Sequence, residues 1–181
     1  MASWSAIARR FRVPLGFAFA AFFLWLAKPT AKSMLIGSAL VVPGLAIRAF
    51  ASGHVQKNEQ LATGGPYAYT RNPLYLGSLI LAVGFALAAR SGWIAAGIVV
   101  FFFTVYLPVI RAEETFLNDR FPHFQDYARE VPRLLPRLRA FSSSSGGFSW
   151  DLYWKHHEYD AALGSIALMA ALAAKLHWLS N

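Results

Sequence analysis

The chain has 181 residues, 56% of them hydrophobic and 14% charged, with a formal net charge of +8 and no cysteine. An ordinary soluble domain is about 45–50% apolar and about 25% charged, and one of about 150 residues buries only about 70% of its unfolded surface. The composition therefore points to a membrane protein. It excludes a disordered chain, argues against a nucleic-acid-binding module, and leaves no disulfide framework, thiolate metal site or cysteine nucleophile.

Five apolar runs follow in chain order: 13–27, 34–50 (with Pro43 inside), 74–89, 93–110 and 161–179. About 20 residues cross a bilayer core. The first and third runs are short on that measure, and flanking Arg and Lys side chains can extend them by snorkelling. Arg9, Arg10 and Arg12 before the first run resemble the start of a signal peptide, but no small-residue cleavage site follows. The run is expected to be a retained first span. The expected fold is all-α: a single domain over 1–181, an integral membrane bundle of about five transmembrane helices.

Charge sets the expected orientation. With five spans, residues 1–12, 48–73 and 111–160 share one side of the membrane. That side holds 13 of the 17 Lys and Arg, all nine acidic residues and four of the five His. By the positive-inside rule it is cytoplasmic, and the high pI reflects loops beside anionic lipid rather than nucleic acid. The opposite loops are short and plain, so the chemistry is expected in segments 51–73 and 111–160. Ser142 to Gly147 reads as a flexible linker, and Trp150, Tyr153 and Trp154 as an interfacial aromatic belt.

The first polar segment, Gly53 to Gly77, contains Gly64-Gly65-Pro66, a turn in which Gly supplies positive φ and Pro fixes φ. Pro73 suits the first turn of a helix, and Asn72 the N-cap, where it would accept from an orphan N–H. Such a helix start suits an anionic group, with Arg71 beside it. The second segment, Arg111 to Pro136, carries Phe116, Leu117, Phe121 and Phe124 at helical spacing. It reads as a helix leaving the membrane, then an amphipathic piece lying on it. Glu113 and Glu114 stand at the mouth of the bundle, where carboxylates need a partner or a ligand. Plainer readings are a capped helix start with a snorkelling Arg and a solvated Glu pair beside Arg111. No G-x-G-x-x-G, H-E-x-x-H or G-x-S-x-G occurs. His156 and His157 would point about 100° apart on a helix, a poor metal pair, so no metal is expected.

Taken together, the two segments resemble the isoprenylcysteine carboxyl methyltransferase family and its bacterial and phospholipid N-methyltransferase relatives. Gly65-Pro-Tyr-Ala-Tyr-Thr-Arg-Asn-Pro-Leu-Tyr-Leu-Gly77 is similar to the family's G-x-Y-x-x-x-R-H/N-P-x-Y-x-G. Glu113-Glu-Thr-Phe-Leu117, with Phe121, Phe124, Tyr127, Val131-Pro-Arg133 and Pro136, is similar to its E-E-x-x-L…F-G-x-x-Y-x-x-Y…V-P-R…P. The likeness covers about residues 48–137. Asn72 stands where the eukaryotic motif has His, and Pro122 where the second has Gly.

The resemblance implies an integral-membrane methyltransferase using S-adenosylmethionine. Tyr67, Asn72, Pro73, Leu74, Tyr75 and Glu113 would line the cofactor pocket, joined by Gln56, Glu59, Gln60, Leu61 and Ala62. The acceptor would be lipid-like or amphiphilic, with a prenylcysteine-type carboxylate among the candidates, and the site would face the cytoplasm from a bacterial inner membrane. Methyl transfer from a sulfonium is an in-line displacement that mainly needs positioning, and a carboxylate nucleophile is already ionised near pH 7. Arg71 or Arg111 would hold such a carboxylate as a fork. An amine acceptor would instead need Glu114 or Tyr127 to take a proton. A membrane reductase of the steroid and sterol reductase type, using NADPH, is the alternative, and a non-enzymatic membrane protein is a third reading.

Overall fold

A computed structural model describes residues 19–55, 60–141 and 147–180, and those residues are mostly helical with no strand among them. Residues 19–26 are helical. Six helices follow: α1 (Ala31–Ser52), α2 (Pro73–Ala89), α3 (Gly92–Arg120), α4 (Phe124–Glu130), α5 (Trp150–Lys155) and α6 (Tyr159–Ser180). Three of them, α1, α3 and α6, are long and apolar enough to cross a membrane. With 17 residues, α2 is shorter and rises about 25 Å at 1.5 Å per residue. Of the first expected span, 13–18 lie outside the described residues.

Local chemistry sets the boundaries. Thr30 and Ser33 cap α1 reciprocally, Ser33 N–H donating to Thr30 Oγ1 at 3.2 Å and Thr30 N–H to Ser33 Oγ at 2.9 Å. Pro73 opens α2, and Arg90 closes it in the left-handed conformation, φ 50°. As expected of a helix leaving the membrane, the helix that holds the apolar run 93–110 does not end at 110. One helix of 29 residues continues through Arg120, with a π turn at Phe102–Tyr106, and its polar last turns carry Glu113 and Glu114 beyond the apolar layer.

Antiparallel α1 and α2 touch backbone to backbone. A Cβ on Gly37 would lie 2.6 Å from Gly84 O, and one on Gly84 would lie 2.9 Å from Gly37 O. One turn-pair along, Gly44 and Gly77 repeat the arrangement, a Cβ on Gly77 meeting Gly44 O at 2.8 Å. Small residues at seven-residue spacing let helices approach closely where lipid supplies no hydrophobic drive for association. The final Gly of the Pro-x-Tyr-x-Gly motif is thus a packing residue.

The two ends of the bundle differ. At one, Ser33 Oγ donates to Ala88 O at 2.9 Å, Lys28 N–H to Ala89 O at 2.7 Å, and Lys175 Nζ to Leu24 O at 2.5 Å. A cluster of Phe23, Ala27, Val41, Phe85, Ile94 and Leu172 packs there. At the other, Arg48 of α1 makes a two-point ion pair with Glu158 just before α6, at 2.8 and 3.1 Å, and donates to Ser78 of α2. This second end gathers both polar segments.

Candidate active site

The loop preceding α2 begins with a short 3-10 turn, Gly65–Ala68, entered through Gly65 at φ +53°. The turn expected at Gly64–Pro66 is there, and Gly65 occupies the left-handed region that Gly tolerates without penalty. Residues 131–141 run across this loop as a non-helical strap with several bends. Arg71 N–H donates to Pro132 O at 2.9 Å, Thr70 Oγ1 to Leu134 O at 3.0 Å, Arg137 N–H to Tyr69 O at 2.9 Å and Phe141 N–H to Ala68 O at 3.0 Å. Beneath the strap, Phe124, Tyr127 and Val131 form a small core against Leu61, Leu117 and Phe121. Tyr127 Oη donates to Tyr67 O at 2.7 Å.

Glu114 is the hub. Oε1 accepts from Arg71 Nε at 3.1 Å and from Asn72 Nδ2 at 3.1 Å, while Oε2 accepts from Arg133 at 2.8–2.9 Å. Arg71 Nη1 also donates to Ala128 O at 2.7 Å. The carboxylate is buried yet fully partnered, the condition under which a buried charge is tolerable. Its hydrogen bond raises the pKa of Arg133.

Asn72 does not perform the capping expected of it. It stands at the N-cap position, but its side chain caps nothing. Instead it donates to Glu114 and to Arg133 O at 3.0 Å. These two bonds fix the orientation of the amide, and in that orientation its oxygen accepts from no N–H of the first turn. Arg71 has likewise committed both its Nε and Nη1, which leaves little of its fork for a substrate.

Glu113, the neighbour of Glu114, behaves differently. One residue further round α3 it points away from the clamp, stays exposed, and accepts from Tyr75 Oη at 3.1 Å. Tyr75 packs edge-on against Tyr106, centroids 5.5 Å apart. Tyr67 is buried nearby, and burial, then the Glu113 charge, raises its pKa. Pro73 is buried and Leu74 half-buried beside them. Leu61 is drawn into the Tyr127 core, Ala62 is half-buried, and Gln60 is exposed. Gln56 and Glu59 lie outside the described residues. Arg111, two residues before Glu113 on α3, is exposed and makes no side-chain hydrogen bond among the described residues.

Tyr106 belongs to the π turn and faces a second feature, a cavity of about 690 Å³ among residues 19–26, α2, α3 and α6. Its walls are chiefly apolar, including Phe22, Phe85 and Leu168, while Arg48, Ser78 and Asp160 add polar groups. Sequence patterns gave no warning of Arg48, Glu158, Asp160 or Tyr106 as site neighbours. Arg133 had a signal in Val-Pro-Arg, but not its target. Among the described residues, no group of three or more His, Asp or Glu stands together as a metal site.

Residues 48–123 match the phospholipid methyltransferase family model. The matched stretch contains Asn72, Tyr75, Glu113 and Glu114. Together with the three membrane-length helices, it supports a membrane methyltransferase. Two curated relatives align over 90 residues, half of this chain. They are the nickel-cobalt-cadmium resistance protein NccN of Alcaligenes xylosoxydans xylosoxydans, 40% identical, and the cobalt-zinc-cadmium resistance protein CzcN of Cupriavidus metallidurans, 38% identical. The alignment spans 42% of the length of each relative. No solved structure matches.

Proposed function

We propose that the chain is an integral-membrane methyltransferase that takes its methyl group from S-adenosylmethionine and delivers it to a lipid-like or amphiphilic acceptor. The observation that carries this reading is the Tyr75–Glu113 pair. It joins the two segments that resemble the family's cofactor motifs, and through Tyr106 it adjoins a largely apolar cavity. Cofactor and acceptor would thus come from opposite directions, one from water and one from lipid.

The donor set suits this cofactor. An exposed carboxylate such as Glu113 can accept from ribose hydroxyls or face a cationic group, and Tyr75 fixes its direction. When bound, the cofactor supplies an electrophilic methyl on a sulfonium. The protein's task is then to align the acceptor and exclude water. Tyr127 and Glu114, the two proton acceptors considered for an amine, are both committed: Tyr127 Oη donates to Tyr67 O, and Glu114 binds two guanidiniums. This favours an acceptor that arrives already ionised, for which Arg111, with no side-chain hydrogen bond among the described residues, is the proposed holder. The Glu114 clamp then serves as scaffold, tying α2, α3 and the strap into one unit. Nine of the 13 Lys and Arg among the described residues lie at the site end, which supports a site that faces the cytoplasm, in a bacterial inner membrane.

The test is thermal stabilisation in detergent, because a ligand that binds only the native state raises its apparent stability. S-adenosylmethionine is expected to raise the melting temperature and NADPH to leave it unchanged. The reverse result would replace the methyltransferase with a reductase.

A further inference from the structure

The strap has an outer side as well as an inner one. Its inner side is bonded to the loop before α2, as described above. On the outer side Leu138 is 99% exposed and Leu135 is 76% exposed, and Pro136 and Arg139 are exposed too. Water-facing leucines with so little cover are costly to hydrate, and clustered exposed apolar side chains mark interaction surfaces.

Both position and charge identify the partner. Tyr69, whose carbonyl receives Arg137 N–H, lies four residues before Pro73, the first residue of α2. Four residues reach about 14 Å at most, so the strap lies at the level where α2 enters the apolar layer. Residues 129–139 carry four Arg and one Glu. Arg137 pairs with Glu130, and Arg133 with Glu114, whereas Arg139 makes no side-chain hydrogen bond or ion pair among the described residues. Apolar prongs flanked by cations at a membrane surface suit acyl chains beneath anionic headgroups.

We propose that the outer side of the strap is a membrane foot: Leu135 and Leu138 insert between acyl chains, while Arg139 meets the phosphate of an anionic lipid in the bilayer the helices span. A soluble protein or nucleic-acid partner would not require this element to sit at the mouth of α2. The contact is independent of which cofactor the site binds.

The chain has no cysteine, so Leu138→Cys gives a single labelling position, and its full exposure makes the substitution harmless to the fold. The variant carries an environment-sensitive fluorophore in nanodiscs of phosphatidylcholine, with or without phosphatidylglycerol, and acrylamide is added as a neutral aqueous quencher. In the phosphatidylglycerol discs the label is expected to emit at shorter wavelength and to lose quencher access. High salt, or Arg139→Gln, should partly reverse both effects. Labelling through Leu135→Cys should give the same pattern. A label equally quenched in both disc types, or protected in both regardless of salt, overturns the anionic contact. Protection that appears only with two protein copies per disc overturns it in favour of self-association.

Discussion

Arg71 and Glu114, 43 positions apart in sequence, meet at 3.1 Å with side chains only 12% and 11% exposed. This ion pair joins the start of α2 to the polar end of α3, and Arg133 closes it from the strap. Removing the central carboxylate leaves two cations facing an uncompensated site. Breaking a buried pair costs about 3–5 kcal/mol when one partner is deleted. Glu114→Ala is therefore expected to be the most destabilising change in the clamp. Arg133→Ala should cost about 1 kcal/mol, because its side chain is 42% exposed and solvent screens such pairs. Thermal unfolding in detergent gives the ranking, and equal losses would contradict the hub role of Glu114.

Glu113 and Tyr75 should behave in the opposite way. Their hydrogen bond is exposed, so Glu113→Ala and Tyr75→Ala are expected to leave the melting temperature nearly unchanged. Each should weaken S-adenosylmethionine binding by about 10–100-fold, the value of a hydrogen bond involving a charged group. Titration calorimetry in detergent measures this, and wild-type affinity in both variants would remove them from the site.

The paired glycines make a sharper stability prediction than the aromatic contacts do. Gly77→Ala and Gly84→Ala place a methyl within 2.8 and 2.9 Å of backbone oxygens on α1. Overpacking of this kind costs about 1–3 kcal/mol. Gly97, on α3, has nothing within 4 Å of its would-be Cβ, so Gly97→Ala should be neutral or mildly stabilising. Unfolding of the three variants under one set of conditions provides the comparison.

Two tyrosines give the pH dependence. Burial raises the pKa of both Tyr67 and Tyr127 above the ordinary 10.0. For Tyr67 the Glu113 charge adds to this, whereas for Tyr127 the nearby Arg71 works against it. Above pH 10 the unfolded chain releases these protons while the folded chain retains them, so stability falls as pH rises beyond that point. Below pH 10 neither contributes a slope. Tyr127→Phe is expected to flatten the alkaline fall, and tyrosinate absorbance should lag behind that of the unfolded protein. An unchanged slope would place Tyr127 in a wetter setting.

Apolar run length alone located α1, α2, α3 and α6 to within a few residues at most ends. At the far end of α3 run length falls short, but the helical spacing of Phe116, Leu117 and Phe121 reads as a helix leaving the membrane, and the helix does continue through Arg120. The division of labour between Glu113 and Glu114 was not legible. Adjacent residues on a helix point about 100° apart, and only the position of the strap decides which one is buried. Asn72 was misread for a related reason: its local capping chemistry was visible, but its competing partner lies 42 residues away. The glycine pairs were present as a spacing of seven on each helix, yet they gain meaning only when α1 and α2 are set antiparallel.

The central claim is methyl transfer to a lipid-like acceptor at the Tyr75–Glu113 site. Its most direct measurement uses S-adenosylmethionine carrying a labelled methyl group, a total lipid extract or a prenylcysteine analogue, and the protein in membranes, with Glu113→Ala in parallel. The expected result is label in the organic phase with the native protein and a large loss with the variant at equal folded amount. No transfer by the native protein to either acceptor, or transfer that survives Glu113→Ala undiminished, would contradict it.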